Sequence, residues 1–352
     1  MGARYLKIDH CGGAAHPLAN ASWIKFRAAL DACAARRADG RRFLMACSSC
    51  NDGLGLRGCG GWIASAPVGC DVWRTGGDIQ ARWSSIMANL DANDAMAAVQ
   101  NTHPGHHNDP DMLQVGNVGL SHTEQQAHFS LWCLAGGPLL ISTDLAVLAV
   151  PALRILTAPE LIGVNQVLRA TDWCFLVLPL TRDSLTHSST LVALIGVNQD
   201  ALGAQGVRLG ARAADGGNGC GWCEVWAKPL ANGDVAVVLL NRAPPAGAPA
   251  AGAANISLTF AQVLPPAPAA AAAAAAGGWG GTVGGARRVS VRDLWARADL
   301  GVFEGGFVAR EVPAHGVAVL RLALVADIGA AGGGGGGGGG SGDAVTAAAA
   351  AG

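Results

Sequence analysis

The sequence predicts an α/β half followed by an all-β half: a partial (β/α)8 TIM barrel, then an antiparallel β-sandwich. Three observations predict it. Through residues 1–150, short apolar runs alternate with segments of helical periodicity, the pattern of parallel strands joined by helices. From residue 223 to about 322 apolar and polar residues alternate, as in antiparallel strands. The 352 residues suffice for two domains, while the first half holds five strands of a barrel that takes about 250 residues when complete.

The elements follow in order. Arg4–Ile8 reads as a strand, Ser22–Arg36 as a helix with apolar residues at helical spacing, and Arg42–Cys47 as the next strand. Asp71–Arg74 is a short strand, followed by a helix from about Ile79 to Met96. Residues 109–113 form the fourth strand end. Thr123–Ala135 is a helix whose start carries the capping signal Ser121-His122-Thr123-Glu124. Gly136-Gly137-Pro138 breaks it, and Leu139–Ser142 is the fifth strand. Such an arc leaves two parallel edges and one side of its apolar lining uncovered.

Leu161-Ile162-Gly163-Val164-Asn165-Gln166 recurs as Leu194-Ile195-Gly196-Val197-Asn198-Gln199, an offset of 33. Two six-residue copies do not make a repeat architecture. Residues 166–198 read as an insertion duplicating its own boundary, either genuine or a misassembled gene segment. Beyond it, 234–241, 256–260, 288–295 and 317–322 alternate as strands. The Pro/Ala-rich run 265–276 is a linker-like loop, and the glycine run 332–340 with its alanine tail cannot bury a core. The expected division is a barrel segment over 1–160, the barrel end with its insertion over 161–222, the β domain over 223–325 and a disordered tail over 326–352.

The net charge of −1 gives no electrostatic basis for binding nucleic acid, and no stretch reads as a membrane span. Ten cysteines point to an oxidising compartment. Cys220-Gly221-Trp222-Cys223 lies after a glycine-rich turn and before a strand, which is not the strand–helix context of a thiol oxidoreductase. His103, His106 and His107 beside Asp109 and Asp111 carry metal-ligand chemistry without a ligand spacing that fixes a site. Asn20-Ala21-Ser22 and Asn255-Ile256-Ser257 are glycosylation sequons, which support a secretory route weakly. Trp23, Trp132, Trp226 and Trp295 read as core, and Trp73 and Trp83, close to Asp78, as candidates to line a site. Cys133 reads as a buried thiol.

Two carboxylates carry the functional reading. Asp9 and Asp78 each follow a short apolar run, where a barrel strand ends and presents its catalytic groups. Lys7 precedes Asp9 by two residues and Arg74 precedes Asp78 by four. A cation favours the ionised form of a nearby carboxylate. Two carboxyl groups about 5–5.5 Å apart make a retaining glycosidase, one as nucleophile and one as acid/base.

The motifs are specific enough to name a family. YLKIDHC (5–11), WRTGGDI (73–79), NDPDML (108–113), GGPLLISTDL (136–145), GVNQDALGAQG (196–206), EVWAKPL (224–230), VRDLW (291–295) and VPAHGVAVLRL (312–322) stand in order. Together they resemble glycoside hydrolase family 27, the alpha-galactosidases and alpha-N-acetylgalactosaminidases. The resemblance implies Asp9 as nucleophile and Asp78 as acid/base, with Lys7, Arg74, Asp111 and Met112 at sugar-contacting positions. It implies a terminal alpha-galactoside as substrate, either a small molecule or an oligosaccharide. It implies no cofactor, no metal and no nucleic-acid or membrane partner, allows a homodimer, and points to an extracellular, vacuolar or lysosomal protein.

The chain departs from that pattern in three places. The resemblance implies three barrel strands before residue 4 with a sugar-binding Trp-Asp-Asp segment, so the chain reads as N-terminally truncated and its later strands only are expected. Where the family has Cys-Glu-Trp the chain has Cys47-Ser48-Ser49. A serine at 48 resembles the N-acetylgalactosaminidase version, which leaves room for an acetamido group. The third departure is the 166–198 insertion. The resemblance also pairs Cys47 with Cys70 and leaves Cys11 without a partner, while Cys50 and Cys59 fall inside the 47–70 loop. The alternative to a hydrolase is an inactive remnant or a sugar-binding protein without turnover.

Overall fold

The computed structural model describes residues 5–9, 19–38, 40–48, 69–97, 105–166, 194–196, 202, 204–210, 220–243, 252–264 and 288–325. The readings placed on Cys11, Cys50, Cys59, His103, the side chain of Asn20, most of the 166–198 insertion, the 265–276 loop and the 326–352 tail lie outside them. The chain divides into two compact units, 1–207 and 208–352.

In the first unit four strands lie side by side and parallel: β1 (Tyr5–Ile8), β2 (Leu44–Cys47), β3 (Val72–Arg74) and β4 (His107–Asp109). The helices between them are α1 (Ala19–Ala35) and α2 (Trp83–Ala97). A parallel bridge from Leu113 to Ile141 continues the arc to β5 (Leu139–Leu140), reached through α3 (His122–Ala135). This is a partial barrel wall of strand–helix units, with β1 outermost in its sheet and Leu6 exposed on it.

Strand pairing sets which side chains share a face. Lys7 aligns with Ala46, Ala46 with Val72, and Val72 with His107. Because strand side chains alternate, Tyr5, Lys7 and Asp9 share that face with Ser48, Arg74 and Asp109. The opposite face carries Met45, Cys47 and Trp73, which pack with Trp23 of α1 and with Cys70. Cys47 and Cys70 form a disulfide with Cα atoms 6.1 Å apart, the pairing the family resemblance implies. A cross-link over 23 residues contributes roughly 3 kcal/mol by loop closure. Trp73 is therefore core and not a site residue: Arg74 faces inward, so Trp73 faces out, where its indole donates to Asn108 Oδ1 at 2.6 Å.

A buried charge cluster fastens α1 to this outer face. Asp71 accepts from the Met45 N–H at 2.8 Å and from Arg27 Nη1 at 3.3 Å, and pairs with Arg42. Burial pushes its carboxyl up, against the pull of Met45, Arg42 and Arg27. Removing one partner of a buried pair is strongly destabilising, so the cluster fixes the helix in one position.

The fourth strand ends earlier than the sequence suggests. Residues 109–113 are not a strand end of their own: β4 stops at Asp109, because Pro110 has no N–H and Asp111 adopts φ 81°. Helix α3 starts with the expected box: Glu124 N donates to Ser121 Oγ and Ser121 N to Glu124 Oε2. It ends at Gly136, with φ 76°. Gly137 has no room for a side chain, since a Cβ there would lie 2.8 Å from Asn108 O. Cys133 is buried within α3.

After a 3-10 turn (Leu145–Val147) come α4 (Val150–Leu156) and α5 (Pro159–Gln166). The first copy of the repeated hexapeptide completes α5. In the second copy Leu194–Gly196 forms β6, antiparallel to β5. The same residues thus take helix in one context and strand in the other, and the pairing partner decides.

The second unit is a two-sheet β structure. Its larger sheet has the order β12 (Ala298–Glu304), β11 (Arg288–Asp293), β14 (Val317–Leu324), β9 (Val235–Asn241), β8 (Cys223–Pro229), β7 (Val207–Leu209). The smaller pairs β10 (Ala254–Thr259), which leads into the turn α6 (Phe260–Val263), with β13 (Gly306–Val312). Val237, Leu239, Ile256, Leu258, Val291 and Leu322 belong to its core. Strands β12 and β13 go beyond the sequence reading, because most of their side chains are exposed or half-buried and show no clean alternation. Trp23, Trp132 and Trp226 are buried as expected; Trp295 is only half-buried. Cys220 and Cys223 form a disulfide across the turn before β8, a pairing the sequence reading did not assign.

His128 gives the first unit an acid-sensitive centre. It is fully buried on α3, its Nε2 accepts from the Gln114 N–H at 2.9 Å, and the Trp132 ring lies edge-on at 4.2 Å. Burial pushes its pKa down to about 3 from 6.5. The folded state keeps it neutral while the unfolded chain takes up a proton below about pH 6.5. Its stabilisation is therefore fully present above that pH and lost as the pH falls towards about 3, at up to ~1.4 kcal/mol per pH unit. His128→Gln, which keeps an acceptor for Gln114, is expected to flatten this part of the Tm–pH curve. Equal acid sensitivity in both proteins would rule out His128 as the source.

Candidate active site

The inner face of the sheet delivers charged groups to the carboxyl ends of β1, β3 and β4. Asp9 follows β1 and is exposed; the Ser48 hydroxyl, just beyond β2, donates to its Oδ1. The Ser48 N–H donates to Ile8 O at 3.1 Å, so the parallel ladder itself brings Ser48 beside Asp9. Lys7 points into the same face, with Nζ 3.9 Å from Asp111 Oδ1.

Arg74 is the buried cation of the site. Its Nη2 lies 2.8 Å from Asp111 Oδ2 and 3.2 Å from Asp78 Oδ1, and donates to Gly77 O at 2.7 Å and Gly76 O at 3.2 Å. The loop after β3 is wrapped around this guanidinium. Within that loop Asp78 keeps a side chain 94% exposed. Asp111 Oδ2 also accepts from the Ile79 N–H at 2.9 Å. An ion-pair chain thus runs Lys7–Asp111–Arg74–Asp78, from the end of β1 to the loop after β3. Met112, half-buried, follows Asp111.

The turn that aims Asp111 is locked from several sides. Asp111 N donates to Asp109 Oδ1 at 2.9 Å, an Asx turn across Pro110. The Trp132 indole donates to Asp111 O at 2.6 Å, and Thr75 N donates to Asp109 O at 3.0 Å. A non-glycine residue at positive φ costs on the order of 1 kcal/mol and persists only where the surroundings over-determine it.

Asp109 and Tyr5 are inner-face residues the sequence reading did not place in the site. Asp109 is buried, and burial pushes its carboxyl up; Asp111 adds to this, while Lys7 and Arg74 oppose it. Burial likewise pushes the Tyr5 phenol up, with the charges of Asp109 and Asp111 adding, so it stays neutral. Its hydroxyl is buried and finds no hydrogen-bond partner among the described residues. The Asp-Pro-Asp spacing was the available signal for Asp109. Nothing local marks Tyr5. His106 and His107 go to different places: His107 is buried on the inner face, while His106 lies near Trp73, 6.1 Å between ring centroids. Among the described residues no group of three or more His, Cys, Asp or Glu could hold a metal ion.

Residues 1–167 match the family alpha galactosidase A, and residues 220–322 match the alpha galactosidase C-terminal beta sandwich domain. The two matches cover most of the chain in the family's own order. The chain belongs to glycoside hydrolase family 27. A probable alpha-galactosidase of Dictyostelium discoideum is 31% identical over 74% of this chain and 51% of its own length. An alpha-N-acetylgalactosaminidase of Mus musculus is 43% identical over 28% of this chain and 24% of its own length. The chain spans at most about half the length of these curated relatives. The solved alpha-galactosidase of Saccharomyces cerevisiae with raffinose superposes with a TM-score of 0.62 at 18% identity, covering 91% of this chain and 72% of that one, which shows the shared fold.

The Asx turn gives a stability test within this family member. Asp109→Ala removes the acceptor of a buried N–H and is expected to lose about 1–3 kcal/mol. Asp109→Asn keeps a carbonyl oxygen there and should lose less. Urea unfolding of both variants gives the order; if Asn costs as much as Ala, the charge of Asp109 and not its acceptor holds the turn.

Proposed function

We propose that this protein is a retaining alpha-galactosidase-type glycoside hydrolase, with Asp9 as nucleophile and Asp78 as general acid/base. The observation that carries the reading is the ion-pair chain Lys7–Asp111–Arg74–Asp78, which ties the loop bearing Asp78 to the strand bearing Asp9. The domain pair and the relatives named alpha-galactosidase support the same reaction class.

In this reading Asp9 attacks the anomeric carbon of a terminal alpha-galactoside while Asp78 protonates the departing glycosidic oxygen. A covalent glycosyl ester forms on Asp9. Asp78, now a carboxylate, takes a proton from water, whose oxygen displaces Asp9 and releases the sugar with retained configuration. The Ser48 hydroxyl donates to Oδ1 of Asp9 and so holds the nucleophile from the β2 side. Lys7 and Asp111 offer a donor and an acceptor to sugar hydroxyls; Arg74 positions Asp111 and Asp78, and Met112 offers an apolar surface. The substrate is a small or oligomeric alpha-galactoside, and the Cys47–Cys70 disulfide supports a secretory-route protein.

A second reading, sugar binding without turnover, is favoured by one feature: Asp78 is almost fully exposed, whereas a catalytic acid gains from burial that keeps it protonated. Hydrolysis of an aryl alpha-galactoside with retention, reduced to background by Asp9→Asn, is the expected result. A galactose-dependent rise in Tm with no hydrolysis would replace the first reading with the second.

Ser48 is proposed as the selector at the sugar's 2-position. A short hydroxyl leaves room for an acetamido group, whereas a glutamate would accept a hydrogen bond from a 2-hydroxyl. Ser48→Glu is expected to shift the rate ratio towards aryl alpha-galactosides over aryl alpha-N-acetylgalactosaminides. An unchanged ratio would remove Ser48 from that role.

A further inference from the structure

We infer that Asn89, in the middle of α2, is a positioning residue for Asp78: its side-chain amide ties the loop that carries Asp78 to the turn that carries Asp111. The inference rests on the hydrolase reading above for what Asp78 does. Asn89 is buried, and its Nδ2 donates to Gly77 O at 3.0 Å and to Pro110 O at 3.1 Å. Both amide hydrogens are used, one on each loop. Its Oδ1 lies against Gly76, where an added Cβ would stand 3.1 Å away.

The arrangement answers a specific need. Asp78 follows Gly76-Gly77, the two residues with the most backbone freedom. Its own carboxylate is held by Arg74 at 3.2 Å and otherwise stands in solvent. Where it lies is therefore set mainly by the backbone before it. Arg74 grips that backbone from the sheet side and Asn89 from the helix side, and both meet at Gly77 O. Helix α2 is a firm base, since Ile86 and Leu90 on the same stripe are buried. The second bond, to Pro110, refers the loop to the locked Asp109–Asp111 turn. Asn89 bonds to neither the Asp78 nor the Asp111 carboxylate; it acts through Gly77 and Pro110.

Asn89→Leu keeps the size of the side chain and removes both donors. The readout is kcat/KM for two aryl alpha-galactosides, one with a dinitrophenolate leaving group and one with phenolate. The poor leaving group needs the proton from Asp78 and the good one does not. A displacement of about 1 Å can cost ~10²-fold, so a loss of roughly 10–10²-fold is expected on the phenyl substrate, with little loss on the dinitrophenyl one. Equal losses on both, or none on either, would overturn the inference. If Asn89→Leu does not fold, Asn89→Ala removes both donors without crowding the loops and should give the same split. If wild type hydrolyses neither substrate, the hydrolase reading has failed while the tether remains measurable. Amide exchange at Ile79, whose N–H is held by Asp111, is then expected to quicken about tenfold in the variant. An unchanged rate there would sink the tether itself.

Discussion

The Asp111 carboxylate is the point on which the inner face of this sheet depends. It receives Arg74 and the Ile79 N–H on one oxygen and faces Lys7 with the other. Three separate pieces of chain, β1, β3 and the loop after β3, are thereby referred to one group. A surface ion pair would contribute little, but Arg74 and Asp111 are both buried and pay a desolvation cost that only good geometry offsets. That geometry comes from the backbone. The left-handed residue at 111 turns the carboxylate back across the strand ends, and the Asp109 side chain and the Trp132 indole keep it there.

The outer face solves a different problem with the same strands. Trp73, Met45 and the Cys47–Cys70 disulfide exclude water against α1, and Arg27 and Asp71 fix the register of helix on sheet. Strand alternation makes the two faces interdependent: a one-residue slip in β3 would send Trp73 inward and Arg74 out. The packing of Trp73 is therefore also what keeps Arg74 in the site.

Much of this was legible in the sequence. The strand ends before Asp9 and at Arg74, the capping box at Ser121 and Glu124, and the change from α/β to antiparallel β patterning all rest on local periodicity or on a motif. What escaped has physical reasons. Nearness to Asp78 in sequence points to Trp73 as a site residue, whereas period-two alternation puts it on the opposite face from Arg74. The 109–113 strand failed because Pro110 and the left-handed Asp111 end the ladder, and a positive φ on aspartate leaves no mark in composition. The edge strand β12 shows almost no buried side chain to read. The hexapeptide that is helical at Leu161–Gln166 and begins as strand at Leu194–Gly196 shows the limit of local reading, since its two outcomes differ only in what lies beside it. Asn89 and Asn93 recur four residues apart beside Ile86 and Leu90, and polar residues on a buried stripe were the available hint that α2 supports loops as well as packing.

Charge and geometry in the site can be separated. Asp109 and Asp111 lie close together with Lys7 and Arg74, yet their carboxyls have different partners. Burial falls hardest on Asp109, which has no direct cation contact among the described ion pairs and whose carboxyl is pushed up. Its structural task is to accept the Asp111 N–H, and a carboxyl oxygen can do that whether or not the group is ionised. The task of Asp111 is to draw Lys7 and Arg74 together, one on each oxygen. The turn thus gives the more deeply buried carboxyl to a backbone N–H, work that needs no charge, and sets the other against the two cations.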